Sequence, residues 1–204
     1  MYVQVSINSY SALTPIDVLN GYMNGIFPMG NINNTIDWYY TEPRAIIPVN
    51  IDSLSFKIPR SLNQVLKKEV FKLKVDTNFI FVIQQCSSRT ETWINKLIFE
   101  AYIELFKMGY AHSVESYIDK KIVGGLYGVA LKGVFFGESM FHREKNASKV
   151  CLAKLLEILK SNGYMFLDIQ MLSPVFLQFG TITMTHNKYL KLLKQALTKN
   201  CHFK

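Results

Sequence analysis

Cysteine is scarce and scattered in this 204-residue chain: Cys86, Cys151 and Cys201 are odd in number and form no CxxC pair. That excludes a disulfide scaffold or a zinc knuckle and fits a reducing cytoplasm. Long apolar runs are missing too. The longest, Ile122 to Leu131, carries three glycines and stops at Lys132, well short of the roughly 20 residues a membrane helix needs. Met1 to Asn8 alternates apolar and polar types with no basic segment ahead of an apolar stretch, so no secretory signal is expected. Acid is the scarcer charge: 15 Asp plus Glu stand against 23 Lys plus Arg, a formal net charge of +8 with a sequence pI near 9.3. Such an excess favours a polyanionic partner such as nucleic acid, and it also serves solubility. With 49% hydrophobic residues the chain can bury one large domain, or a small domain joined to a larger one.

Thr14-Pro15 supplies an N-cap and a first-turn proline. Ile16, Leu19 and Met23 then share a face before Gly25, which predicts a short helix with a glycine stop. Gly30 to Pro48, rich in Asn, aromatics and proline, reads as loop leading into a strand at Ala45–Val49. A boundary near Asp52 divides a small amino-terminal domain, 1–52, from a larger one, 53–204. Helices are expected near 61–68 and 79–85, and a long one from Glu91 to Met108 entered through Thr90, with a strand at 71–75. Three strand-like runs follow, 112–118, 122–131 and 134–141, joined by the turn signals Asp119-Lys120-Lys121 and Lys132-Gly133. Helix 146–160, strand 164–170, a short helix after Pro174, strand 181–185 and helix 188–198 complete an α+β pattern, a mixed sheet with flanking helices.

Several constellations carry chemical potential. Glycines inside the runs at Gly124-Gly125 and Gly137 weaken a strand unless a bulge or a close-approaching group needs the space. Glu138, set among Phe135, Phe136, Met140 and Phe141, needs a partner if buried, and strict alternation puts it on one face with Met140. Asp168 and Gln170, two apart on a strand, are expected to share a face. They form either a polar pair at a site or a pair that satisfies a loop. The stretch Asp37-Trp38-Tyr39-Tyr40, followed by Glu42-Pro43-Arg44, either stacks a base or makes an interdomain contact, with Arg44 near a phosphate or an acidic partner. His112, Ser113 and Glu115 do not make a nucleophilic triad: alternation separates His112 from Ser113, and no GxSxG elbow is present.

The segments Asn24-Gly25-Ile26-Phe27-Pro28, Trp38 to Pro48, Gly109 to Glu115, Val123 to Ala130, Phe136 to Phe141, Asn146-Ala147-Ser148-Lys149 and Leu167-Asp168-Ile169-Gln170 resemble, in order and approximate spacing, the bacterial leucyl/phenylalanyl-tRNA–protein transferases. The resemblance implies an acetyltransferase-like (GNAT-like) fold behind a small amino-terminal domain. It implies transfer of an amino acid, Leu or Phe, from aminoacyl-tRNA to the N-terminal Lys or Arg of an acceptor protein, the N-end rule mark for degradation. A catalytic pair then falls on Asp168 and Gln170, and a structurally important acid on Glu138. The pocket for the aminoacyl side chain falls on Leu126, Met140, Leu152, Leu155, Leu159 and Leu167, and aromatics around the terminal adenosine on Trp38, Tyr39 and Trp93. Leu152, Leu155 and Leu159 also recur at helical spacing, as one apolar face or as ordinary core. Met29, Tyr39, Val175, Gln178 and His186 depart from the family's usual residues.

The implied reaction is aminolysis of an ester, which needs positioning and proton removal but neither metal nor nucleotide cofactor. Gln170 is expected to accept a hydrogen bond from the attacking amine while Asp168 orients and polarises its amide. Alternatively Asp168, or the substrate's own ribose hydroxyl, takes the proton. A cytoplasmic monomer without membrane partners is expected. An acyl-CoA-dependent acetyltransferase is the rival on the same fold, but its phosphate-cradling turn corresponds here to Arg143 to Lys149, which lacks glycine. A non-catalytic tRNA-binding module would be expected to lack Asp168 and Gln170.

Overall fold

A computed structural model describes residues 1–5, 9–89 and 92–203. Helix α1 (Pro15–Met23) starts as its sequence dictates: the Thr14 hydroxyl accepts from the Asp17 amide, and the Asp17 carboxylate accepts from the Thr14 amide at 2.9 Å. Gly25 follows with φ +76°, a left-handed stop that suits glycine. Strands β1 (Tyr2–Gln4), β2 (Phe27–Gly30) and β3 (Ile36–Thr41) form a small antiparallel sheet in the order β1-β3-β2. The expectation of loop up to Ala45 is therefore corrected. The run Ile36-Asp37-Trp38-Tyr39-Tyr40 is aromatic enough to pair on both edges, although its Asn-rich and proline flanks hid it.

The larger sheet has seven strands in the order β10-β4-β9-β8-β7-β6-β5. Its members are β4 (Arg44–Pro48), β5 (Lys72–Val75), β6 (Ala111–Ile118), β7 (Lys121–Leu131), β8 (Val134–His142), β9 (Phe166–Gln170) and β10 (Ile182–Met184). Strands β5 to β8 form an antiparallel meander. Its first hairpin turns through Asp119 and Lys120, at φ +46° and +67°. Helix α5 (Ala147–Ser161) then crosses over so that β9 runs parallel to β8. Strand β4 pairs antiparallel with β9, so this strand, which precedes the expected boundary at Asp52, is hydrogen-bonded into the larger sheet.

Helices cover both faces, as the α+β reading expects. One apolar cluster joins α1 to α3 (Phe79–Ser87), α4 (Lys96–Lys107) and, past the short α6 (Pro174–Leu177), α7 (His186–Ala196) over Ile46, Val129, Phe136 and Phe166. The other joins α5 and α2 (Arg60–Lys67) to Ile47, Leu126, Phe135 and Leu167. The expected start of the long helix at Thr90 and Glu91 lies outside the described residues, as do Ser6, Ile7 and Asn8; α4 opens on an Asn95 cap. The glycines of β7 serve close approach. A Cβ on Gly128 would lie 2.1 Å from the Phe136 carbonyl oxygen, and one on Gly124 would meet Ala147 of α5 at 2.6 Å. Among the described residues no helix is long and apolar enough to cross a membrane.

Candidate active site

Pairing between β8 and β9 spans only Val134–Phe136 against Phe166–Asp168, and beyond that point the two strands part. A cavity of about 500 Å³ opens there, lined by Gly137 to Met140 on one side and by Ile169 and Gln170 on the other. Its apolar wall includes Leu126, Met140, Leu152, Leu155, Leu167 and Phe176, and basic residues Arg89, His142, Lys145 and Lys149 also line it. Trp93 lines it as well. Five of the six expected pocket residues thus converge. Leu159 does not: fully buried, it packs in the cluster with Leu155 and Leu156 one turn further along α5 and lines no wall.

Two bulges shape the polar end. In β8, Ser139 pairs with Tyr127 but Gly137 pairs with Gly128, so Glu138 is the extra residue. The bulge breaks the alternation that would have placed Glu138 beside Met140. Glu138 instead meets Tyr22 and Tyr102 of the first cluster, while Met140 packs against the second. The Tyr22 hydroxyl donates to Glu138 Oε1 at 2.5 Å and the Tyr102 hydroxyl to Oε2 at 3.2 Å, with the two hydroxyls 2.5 Å apart. Burial pushes the Glu138 carboxyl up to about 7. The two tyrosine hydrogen bonds and Arg44 oppose the rise, and Asp168 adds to it.

In β9, Gln170 pairs with Ala45 while Asp168 pairs with Ile46, which leaves Ile169 as the extra residue, and Gln170 takes φ +55°. This is the second correction to alternation: Gln170 lines the cavity and Asp168 does not. Asp168 is fully buried and fully occupied. Its carboxylate accepts from Arg44 Nε at 3.0 and 3.2 Å, from Arg44 Nη2 at 2.6 Å, from the Tyr189 hydroxyl at 2.5 Å and from the main-chain amide of Gln170 at 2.9 Å. Arg44 is equally buried. It also donates to the Gly25 carbonyl at 3.2 Å and stacks on Tyr189 and Phe27. Burial alone would lower the Arg44 pKa, but Asp168 and Tyr189 outweigh it, so the guanidinium is held charged more firmly than usual. Of the two partners expected for Arg44, the acid is the one in place.

The expected polarisation of the Gln170 side chain by Asp168 is corrected by the same geometry. Asp168 binds the Gln170 backbone, and the side-chain Nε2 is buried without a hydrogen-bond partner among the described residues. Glu42 and Thr41 tie the neighbouring segments down: the Thr41 hydroxyl donates to the Gln170 carbonyl at 2.7 Å, and the His186 amide to Glu42 at 2.8 Å. The three expected adenosine aromatics are divided. Trp93 lines the main cavity, Trp38 lines a second one of about 420 Å³ beside α1, and Tyr39 packs edge-on to Tyr2. The His112–Ser113–Glu115 group makes no triad: His112 Nδ1 lies 2.7 Å from Asp76 and the Ser113 hydroxyl donates to Glu115. Tyr22, Tyr102 and Tyr189 were not foreseen, because nothing local in the sequence marks a buried tyrosine as the partner of a distant acid.

The family model for leucyl/phenylalanyl-tRNA protein transferase matches residues 50–194. A curated relative of that name from Akkermansia muciniphila is 44% identical over 189 residues, covering 91% of this chain and 96% of the relative. Another, from Rubrobacter xylanophilus, is 41% identical over 186 residues, covering 91% and 95%. The chain belongs to this family. Among solved structures, an aminoglycoside acetyltransferase from an uncultured soil sample is similar at a TM-score of 0.40 and 12% identity, over 67% of this chain and 96% of that one.

Proposed function

We propose that the protein moves an amino acid from aminoacyl-tRNA to the amino terminus of an acceptor protein. Membership of the family supports this over the acyl-CoA-dependent and non-catalytic alternatives. The acceptor's α-amine attacks the ester carbonyl. A C–N bond forms, the C–O bond to the ribose breaks, and the departing ribose oxygen takes the proton that the amine gives up. The observation that carries this reading is that Gln170, its side-chain Nε2 buried without a hydrogen-bond partner among the described residues, lines an apolar cavity that basic residues also line.

Gln170 takes two parts. Its Oε1 accepts a hydrogen bond from the attacking amine, and its unpartnered Nε2 donates to the carbonyl oxygen as negative charge develops there, the kind of aimed donor that lowers acyl-transfer barriers. Asp168 supports from behind: paired to Arg44 and Tyr189, it holds the Gln170 main chain in its left-handed turn. Leu126, Met140, Leu152, Leu155 and Leu167 take the side chain of the transferred residue, which an apolar lining restricts to uncharged types such as Leu or Phe. Trp93 borders the adenosine. Acceptors beginning with Lys or Arg are the expected substrates. Incubating the protein with separately charged tRNAs and model peptides bearing N-terminal Lys, Arg or Ala tests the reading. Transfer of Leu or Phe to the first two supports it, and absence of transfer from any charged tRNA refutes it.

A further inference from the structure

We propose that Glu138, clamped by Tyr22 and Tyr102, is the receptor for the α-ammonium group of the amino acid held in the cavity, with the two tyrosines as its positioning residues. The inference rests on the aminoacyl-tRNA reading above. An aminoacyl ester offers three chemistries at once: a side chain, the polyanion it is attached to, and a single cation. The cavity has leucines for the first and Arg89, His142, Lys145 and Lys149 for the second, and among its described lining residues Glu138 is the one acid. No ion pair to Glu138 forms among the described residues, and Arg44 is committed to Asp168. A carboxylate at an apolar wall without a counter-ion is costly unless a ligand brings the charge.

The clamp is chemically suited to that task. Phenolic hydroxyls are neutral donors, so they orient the carboxylate and favour its ionised form while leaving its negative charge uncancelled, as a lysine or arginine there would not. The clamp is also rigid. Tyr22 stacks on Phe136 at 4.2 Å, Tyr102 packs edge-on to Tyr127 at 5.8 Å, and both are fully buried. Tyr22 comes from α1, Tyr102 from α4 and Glu138 from the β8 bulge, at the opening that Gln170 also lines. The other titratable groups acting on this cluster are Tyr2 of β1, Tyr127 of β7, Asp168 of β9 and Arg44 of β4; Arg89 and Cys86, from the α3 end, act on Tyr127. Such a receptor would make the enzyme refuse aminoacyl groups whose amine is blocked.

Two hydrolysis-resistant probes test this by calorimetry: adenosine carrying a 3′-phenylalanyl amide, and the same compound without the α-amine. Near pH 7 the wild type should bind the amine-bearing probe roughly 10- to 100-fold more tightly, the range of a charge-assisted, partly buried pair. Glu138→Gln should bring that ratio to about 1 and leave the affinity for the desamino probe unchanged. Because Glu138 must be ionised, the preference should fade as pH drops below about 7. Tyr22→Phe and Tyr102→Phe each keep the ring and remove a donor that favours the anion, so each should move that fading to higher pH. Equal binding of both probes by the wild type, or a ratio untouched in Glu138→Gln, overturns the inference alone. Binding of neither probe overturns the aminoacyl-tRNA reading and the inference with it.

Discussion

Removing Arg44 should reveal how much of the site is held by one buried pair. In Arg44→Met, Asp168 keeps the Tyr189 hydroxyl and the Gln170 amide but loses the three guanidinium contacts at 2.6 to 3.2 Å, and it has no access to solvent. Stranding one partner of a fully buried pair costs about 3–5 kcal/mol. For a chain of this size each kcal/mol moves Tm by roughly 2–4 °C, so the variant should melt on the order of 10 °C below wild type near neutral pH. The deficit should also depend on pH, with a definite sign. Arg44 opposes the upward push on the Glu138 carboxyl, so without it the folded pKa of Glu138 rises further. Both proteins lose stability alike as pH rises toward about 7, and above that the variant goes on losing it while wild type does not. Thermal melts from pH 4.5 to 8 should show the gap to wild type widening at the upper end. The double variant Arg44→Met/Asp168→Asn, which keeps a neutral acceptor for Tyr189 and Gln170, should recover at least about half of the loss. A single variant within about 1 kcal/mol of wild type, or a gap constant with pH, would refute this account of the pair.

Gln170→Gly should abolish most transfer, by at least about 10²-fold as for a lost oxyanion donor, while raising Tm by a few degrees, because a left-handed non-glycine residue costs roughly 1–2 kcal/mol; a fall in both would mean that the side chain braces the fold. Leu155→Phe should shift preference toward smaller transferred residues by roughly 1–3 kcal/mol in relative kcat/KM. Leu159→Phe, one turn away and outside the cavity, should cost about 1–3 kcal/mol of stability from overpacking and leave preference alone. Binding of charged tRNA should weaken with salt at a log–log slope of about −0.7 to −0.9 per phosphate contacted, and Lys145→Glu with Lys149→Glu should flatten that slope; a salt-independent affinity would remove the basic residues from tRNA binding.

The helix at Pro15 and the β6–β7–β8 meander were legible because their signals are local: a capping box, a glycine stop, a two-residue turn. The small sheet was not. Its β3 run sits between Asn-rich and proline flanks, and its partners β1 and β2 are too short to show alternation. The Arg44–Asp168 pair joins residues 124 positions apart, a distance over which a single sequence offers only the guess that Arg44 needs an acid.

The site residues themselves were found by resemblance, and their orientations were where period-two reasoning failed, for one physical reason at both places. Glu138 and Ile169 are each an extra residue in a strand, and after each bulge the side chains fall on faces that counting by two does not give. Neither bulge is announced by glycine at the bulged position. Both stand just past the point where β8 and β9 stop pairing with each other, where each strand keeps its ladder on one edge only and the backbone can turn a polar side chain into the gap. Glu138 is then held by two tyrosine hydroxyls and Gln170 by the Asp168 carboxylate beneath its amide. Separating the strands both opens the cavity and releases the two residues best placed to work in it. A sequence that kept strict alternation through 138 and 169 would close the ladder, and the chemistry would have nowhere to occur.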